Sequence, residues 1–190
     1  MGELPDLTGR TILQVAPELS AGGVERTVLE VTEAIVEAGG RALVASKGGR
    51  LEPELARLGG ELLRMDAKSR NPVTIKLNEG KLRQIIREQG VSLVHARSRA
   101  PAWSAWAAAK AEGVPFVTTY HGAYSGTSGL KKAYNSVMAK GDLVIANSQW
   151  IAAHVAEVHE IDPARIVTIP RGVDLEAFAP EAVAPARIEA

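Results

Sequence analysis

Short runs of β-branched and aliphatic residues alternate along this chain with longer segments whose apolar residues recur every three or four positions. A period near two marks strands and a period near 3.6 marks amphipathic helices. The pattern predicts strands over 11–16 (TILQVA), 41–46 (RALVAS), 61–65, 92–96 (SLVHA), 115–120 (PFVTTY), 142–147 (DLVIAN) and 165–169. It predicts helices over 23–38, 51–58, 73–89, 101–111, 130–139 and 149–159. Gly39-Gly40, Gly59-Gly60, Gly90, Gly113 and Gly141 follow helical segments, where a left-handed residue ends the last turn. Ser148 stands where an N-cap belongs. Continuous apolar strands separated by helices imply a parallel sheet covered on both faces, because each crossover must return the chain to the same edge. The expected fold is α/β: a doubly wound, mainly parallel Rossmann-like sheet of about seven strands with helices on both faces.

One domain accounts for 1–176. With 190 residues, 46% of them apolar, the chain is large enough to bury roughly 70% of its unfolded surface. The segment 177–190 (AFAPEAVAPARIEA) is rich in Ala and Pro, carries no strand run and reads as the start of a linker.

Composition removes several classes of function. Without cysteine there is no disulfide scaffold, no cysteine-ligated zinc and no thiolate nucleophile. The 22 basic and 22 acidic side chains balance, whereas duplex binding needs concentrated positive charge, so no nucleic-acid partner is expected. The opening MGELPDLTGR is polar and acidic, unlike a secretory signal. The uncharged stretch 100–109 is half the roughly 20 residues a spanning helix requires. A cytoplasmic location is the expectation, with peripheral contact at the inner membrane face left open. The basic segment holding Lys131, Lys132 and Lys140 suits either anionic lipid or, more commonly, a solvated face over a core stripe of Leu130, Tyr134, Val137 and Met138.

Ligands of open parallel sheets bind outside the carboxyl ends of the strands. Polar side chains gather in the segments that follow those ends. After the first strand comes Pro17 to Glu25, with Gly22 and Gly23 at a helix start, where backbone N–H groups and the positive helix end favour phosphate. A tight turn would use the same pair of glycines. The fourth strand leads into His95, Arg97, Ser98 and Arg99, the fifth into His121-Gly122 and Tyr124 to Gly129, the sixth into Asn147-Ser148, and the seventh into Arg171 and Asp174. Forked arginine donors suit phosphate or carboxylate, though a single arginine more often serves a surface ion pair. His121 can point into a cleft as donor or acceptor or cap a backbone group, and His95 can be a satisfied core ring. His154 and His159 read as helix-surface residues, Asp174 as a turn residue, and Trp103, Trp106 and Trp150 as core packing. No carboxylate stands at ligand spacing from the histidines, so no metal site is expected. The G-x-G-x-x-G fingerprint is missing and no acidic residue follows the second strand, which disfavours a nicotinamide or flavin enzyme.

Four of these segments, taken in order, resemble family 4 retaining glycosyltransferases of the GT-B type. ILQVAPELSAGGVER is similar to that family's opening strand and G-G-x-E-R loop, and TTYHGAY to its histidine-glycine segment. GDLVIANSQWIAAHV resembles its serine-headed helix, and VTIPRGVDLEAF its I-P-N-G-V-D-x-x-x-F motif, with Arg171 in place of the usual asparagine. The resemblance is strongest to bacterial lipopolysaccharide and polysaccharide transferases. It implies that the chain is the N-terminal, acceptor-side domain of an enzyme whose C-terminal domain holds most of a nucleotide-diphosphate sugar. It also implies roles. Gly22 and Gly23 would approach the donor diphosphate, and His121 would act catalytically beside the transferred sugar. His95, Arg97, Ser98, Tyr124, Ser125, Asn147, Ser148 and Arg171 would line the acceptor side. No cofactor or metal would be needed, the partners being a nucleotide-sugar and a glycan or lipid-linked acceptor. The family's E-x7-E spacing occurs at Glu25/Glu33 and Glu181/Glu189, neither in the family's context. The chain alone is expected to be nearly inactive. The competing reading is a non-enzymatic sugar- or nucleotide-binding module that works with a separate partner.

Overall fold

The computed structural model describes residues 5–124 and 129–172. Seven parallel strands form one sheet: β1 (Thr11–Val15), β2 (Arg41–Ser46), β3 (Glu61–Arg64), β4 (Val91–Ala96), β5 (Phe116–Tyr120), β6 (Leu143–Ala146) and β7 (Ile166–Thr168). Their spatial order is β3-β2-β1-β4-β5-β6-β7. The winding direction therefore reverses between β1 and β4, which opens a crevice beyond the ends of those two strands. The connecting helices are α1 (Gly23–Glu37), α2 (Glu52–Arg57), α3 (Pro72–Glu88), α4 (Arg99–Glu112), α5 (Gly129–Asn135) and α6 (Gln149–His159).

Strand alternation divides the core in two. Leu13, Val15, Val94, Ala96, Phe116, Tyr120, Val144 and Ala146 pack against Leu82 and Ile86 of α3, small residues of α4, and Ile151 and Val155 of α6. Ala102, Ala105, Ala108 and Ala109 are buried, so α4 lies close against the strands. On the opposite face, Ala16 and Val44 meet Val28 and Leu29 of α1 and Leu55 of α2. That second layer covers the β1–β3 side. Leu143 of β6 and Val167 of β7 remain 44% and 40% exposed.

The predicted elements all form, with ends displaced by one or two residues at most, except in one place. The expected helix over 130–139 is α5 followed by a 3₁₀ turn over Ser136–Ala139. Lys140 therefore stands outside the helix, and its ammonium lies over the Trp106 ring, 4.6 Å from the centroid. Gly39, Gly59, Gly90 and Gly113 have positive φ, as helix ends require. Gly141 does not. The left-handed position after α6 belongs instead to Glu160, at φ 52°. Ser148 caps α6 as expected, its Oγ accepting from the Ile151 N–H at 3.2 Å.

Among the described residues, no helix is long and apolar enough to cross a membrane.

Candidate functional site

At the crevice, α1 begins without a side-chain cap. Gly22 is its N-cap residue, with φ 128° and ψ 172°, and among the described residues no side-chain hydrogen bond caps the helix start. That backbone conformation excludes most L residues. A Cβ on Gly22 would also stand 2.8 Å from Glu25 Oε2. The helix start thus presents bare donors and the positive end of its dipole, a combination that binds phosphate groups.

Over this start lies Arg171, which follows β7 in sequence. Its Nη2 donates to the Gly23 carbonyl at 2.6 Å and to Thr27 Oγ1 at 2.8 Å, and lies 3.0 Å from His121 Nδ1. Thr27 Oγ1 in turn donates to the Gly23 carbonyl at 2.8 Å, leaving its lone pairs for the guanidinium. A Cβ on Gly23 would collide with Arg171 Nη1, so only glycine leaves the arginine this seat.

Guanidinium has donors and no acceptor. Of the two Nη2 hydrogens, one is shared between the Gly23 carbonyl and Thr27 Oγ1 and the other goes to His121 Nδ1, which accepts it, so the ring proton lies on Nε2. That Nε2 is buried and, among the described residues, has no hydrogen-bond partner. Burial first, then the charges of Arg97 and Arg171, push the ring pKa down to about 4. Asn147 Nδ2 donates to the His121 carbonyl at 3.1 Å and steadies the backbone of the turn, while Asn147 Oδ1 is buried without a partner among the described residues. The rim therefore holds a neutral imidazole with an unclaimed N–H donor.

A row of buried polar groups lies behind it. Gln14, His95, Arg97, Thr119 and His121 all alternate toward the α1 face of the sheet, and the register sets Gln14 beside His95. Gln14 Nε2 donates to the Val28 carbonyl (3.1 Å) and to Thr32 Oγ1 (3.0 Å) on α1. Its Oε1 accepts from Arg97 Nε (3.0 Å) and Nη2 (2.5 Å). Arg97 is 2% exposed, and no carboxylate pairs with it among the described residues. Burial, with Arg171's charge second, lowers its pKa, while Glu30 opposes. A guanidinium remains charged at neutral pH even so. His95 is 6% exposed, and its Nε2 shares a 2.7 Å hydrogen bond with Thr119 Oγ1. Burial first, then Arg97 and His121, hold its pKa well below the ordinary value. These two side chains, expected to line the rim, instead stand inside the sheet face behind it.

The structure brings Gly22, Gly23, His121, Asn147 and Arg171 together. Ser98 and Ser148 head α4 and α6, and Ser98 makes no capping bond with its side chain. Tyr124 lies on the other side of β5's end, 5.0 Å from the Tyr120 ring and beneath Arg99, whose Cζ is 4.2 Å from its centroid. Ser125 and Asp174 lie outside the described residues. Three expectations change. Trp150 is 66% exposed rather than core, stacked on His154 at 5.3 Å. His154 and His159 are half-buried rather than free on the surface, with His159 6.3 Å from the Tyr120 ring. Sequence reasoning missed Gln14, Thr27 and Thr119. Only Gln14 carried a signal, as the lone polar residue inside an apolar strand.

Among the described residues, no group of three His, Asp or Glu is placed to hold a metal ion.

The model of glycosyltransferase family 4 matches residues 21–177. A glycosyltransferase from Rickettsia africae is 40% identical, with a TM-score of 0.79 over 95% of this chain and 48% of that one. Anabaena HepE, solved with UDP and glucose, is 18% identical with a TM-score of 0.73, covering 94% of this chain and 48% of that one. Sucrose-phosphate synthase from Thermosynechococcus elongatus is 19% identical with a TM-score of 0.73, covering 95% and 53%. No curated protein matches. The chain spans about half the length of these solved structures.

Proposed function

The chain belongs to glycosyltransferase family 4, and on that premise we propose that it is the acceptor-side half of a retaining transferase using a nucleotide-diphosphate sugar. The observation that carries this reading is the buried, unclaimed Nε2–H of His121 beside the uncapped start of α1. A sugar diphosphate supplies what both lack: hydroxyl oxygens for the imidazole and anionic oxygens for the backbone donors. HepE's complex with UDP and glucose is consistent with such a ligand.

In the proposed reaction the bond between the anomeric carbon and the diphosphate oxygen breaks, and an acceptor hydroxyl oxygen bonds to that carbon. The diphosphate leaves with the electron pair, and the acceptor's proton passes to the departing phosphate oxygen. Preorganised donors aimed at this developing charge stabilise the transition state more than the ground state. Gly22 and Gly23 bring backbone donors near the leaving group. Arg171 and Arg97 add positive charge, so the step needs no metal. His121, neutral and locked as a donor, orients a sugar hydroxyl and is not a base. The remaining contacts to the nucleotide belong to a second domain, so this chain alone binds donor weakly and transfers little.

The acceptor is a glycan or lipid-linked glycan of cell-surface polysaccharide or lipopolysaccharide synthesis. Work at the inner membrane face suits the exposed Leu130, 89% open, beside Lys131 and Lys132 on α5. Sedimentation that does not distinguish anionic from neutral vesicles would remove the membrane contact.

Calorimetry with UDP-glucose tests the reading. We expect weak binding to the chain, stronger binding once a second domain is supplied, and loss with Gly23→Val. In the two-domain enzyme, His121→Ala should lower kcat on the order of 10²-fold, the effect of removing one transition-state donor. Turnover close to the parent would overturn the assignment.

A further inference from the structure

On the side of β5 away from His121 there is a second concavity, of about 510 Å³, between α5 and α6. That volume falls in the range of small-ligand sites, roughly 300–1,000 Å³. Its lining includes Tyr120, Tyr124, Lys132, Asn135, Glu157 and His159. Tyr120 is 1% exposed, yet its hydroxyl is buried without a hydrogen-bond partner among the described residues. Leaving a buried hydroxyl unpaired forfeits its hydrogen bonds to water with nothing in return, so an orphan lining a cavity marks a place for a ligand's polar atom. Asn135, 5% exposed, gives its Oδ1 to Arg99 Nη1 at 3.0 Å, and its Nδ2 has no partner among the described residues.

We propose that this cavity is a subsite for a neutral, hydroxyl-rich saccharide ring of the acceptor, held by the Tyr120 hydroxyl, the Asn135 amide and the tyrosine pair. The inference rests on the transferase reading above. Charge favours a neutral ligand over an anion: Lys132 Nζ is 3.5 Å from Glu160 Oε1, and Glu157 adds a negative group. Tyr120 and Tyr124, tilted at 40°, supply apolar surface for the C–H face of a sugar. Burial first, then the charges of Lys132 and His154, lower the His159 pKa and so favour the neutral ring, which donates from one nitrogen and accepts at the other. A sugar hydroxyl also does both, so it satisfies each of these groups in turn. Tyr120 and His121 are adjacent, about 3.8 Å apart along the chain. The strand end thus separates a donor-facing residue from an acceptor-facing one by a single peptide.

The test is a titration of this chain with methyl α-D-glucoside, galactoside and mannoside, followed by saturation-transfer NMR and by shifts of the Asn135 amide and His159 ring. We expect saturable binding of at least one glycoside, moving Asn135 and His159 but not His121, and no displacement by UDP. Tyr120→Phe should weaken it about fivefold, the equivalent of one hydrogen bond. The same variant should unfold no earlier than the parent, because it removes an unpaired buried hydroxyl. No saturable binding, competition by UDP, or unchanged affinity in Tyr120→Phe would each overturn the subsite. Should that variant not fold, the shift map of the parent decides: absent movement at Asn135 and His159 defeats the proposal. Failure of UDP-glucose to bind while glycosides still fill the cavity would defeat the transferase reading alone.

Discussion

Arg171 Nη2 lies 3.0 Å from His121 Nδ1, joining the segment after the last strand to the turn after β5. Because one partner can only donate, the pair decides which nitrogen of the histidine carries hydrogen. The same Nη2 holds Gly23 and Thr27, so the state of the imidazole is tied to the start of α1.

Removing that arginine should therefore change the histidine before it changes the fold. In Arg171→Ala the Nδ1 atom loses its donor and the ring loses a neighbouring positive charge. We expect ¹⁵N NMR to show the Nε2–H tautomer alone in the parent and a mixture in the variant. The His121 pKa should rise from about 4 toward its ordinary value. An unchanged tautomer ratio would show that Arg171 does not set it.

Gln14 should matter far more to stability than a polar residue in a strand usually does. Its Oε1 is the acceptor for two Arg97 donors, and Arg97 is 2% exposed. Gln14→Leu leaves a buried guanidinium without that acceptor, a change expected to cost about 3 kcal/mol. Gln14→Leu combined with Arg97→Met removes both groups and should recover most of the loss. Urea unfolding of the single and double variants measures this directly. Additive losses would show that the two residues do not act as a pair.

Acid should weaken the fold through these same rings. The His121 and His95 pKa values are depressed, so below the ordinary value of 6.5 the unfolded chain takes up protons that the folded chain refuses. Stability then falls as pH drops from about 6.5 toward 4, and their contribution is unaffected above that window. Glu61 and Glu112, held low chiefly by hydrogen bonds to Arg41 and Arg83, lose stability only at lower pH, as carboxylates protonate. His121→Asn should flatten the slope between pH 6.5 and 4 in urea midpoints. A parent midpoint that is level across that range would contradict the burial of both rings.

The strands and helices were legible because their signals are local. Hydrophobic period reports which face a residue shows to the core, and Ser148 marks a helix start by its own hydroxyl. The 3₁₀ turn after α5 escaped, since Val137 and Met138 fit a helical stripe equally well. Glu160 escaped because a left-handed position announces itself only when glycine occupies it.

For the rim, the sequence by itself determined which residues could gather: strand ends of a parallel sheet lie along one edge, so the glycines, His121, Asn147 and Arg171 were bound to be neighbours. Only the tertiary structure decided their states. Whether His95 and Arg97 face solvent depends on the strand alternation and on what α1 covers. Which nitrogen of His121 is protonated depends on an arginine 50 residues away. Burial and hydrogen-bond direction are properties of packed surroundings, and a linear pattern of residue types carries neither.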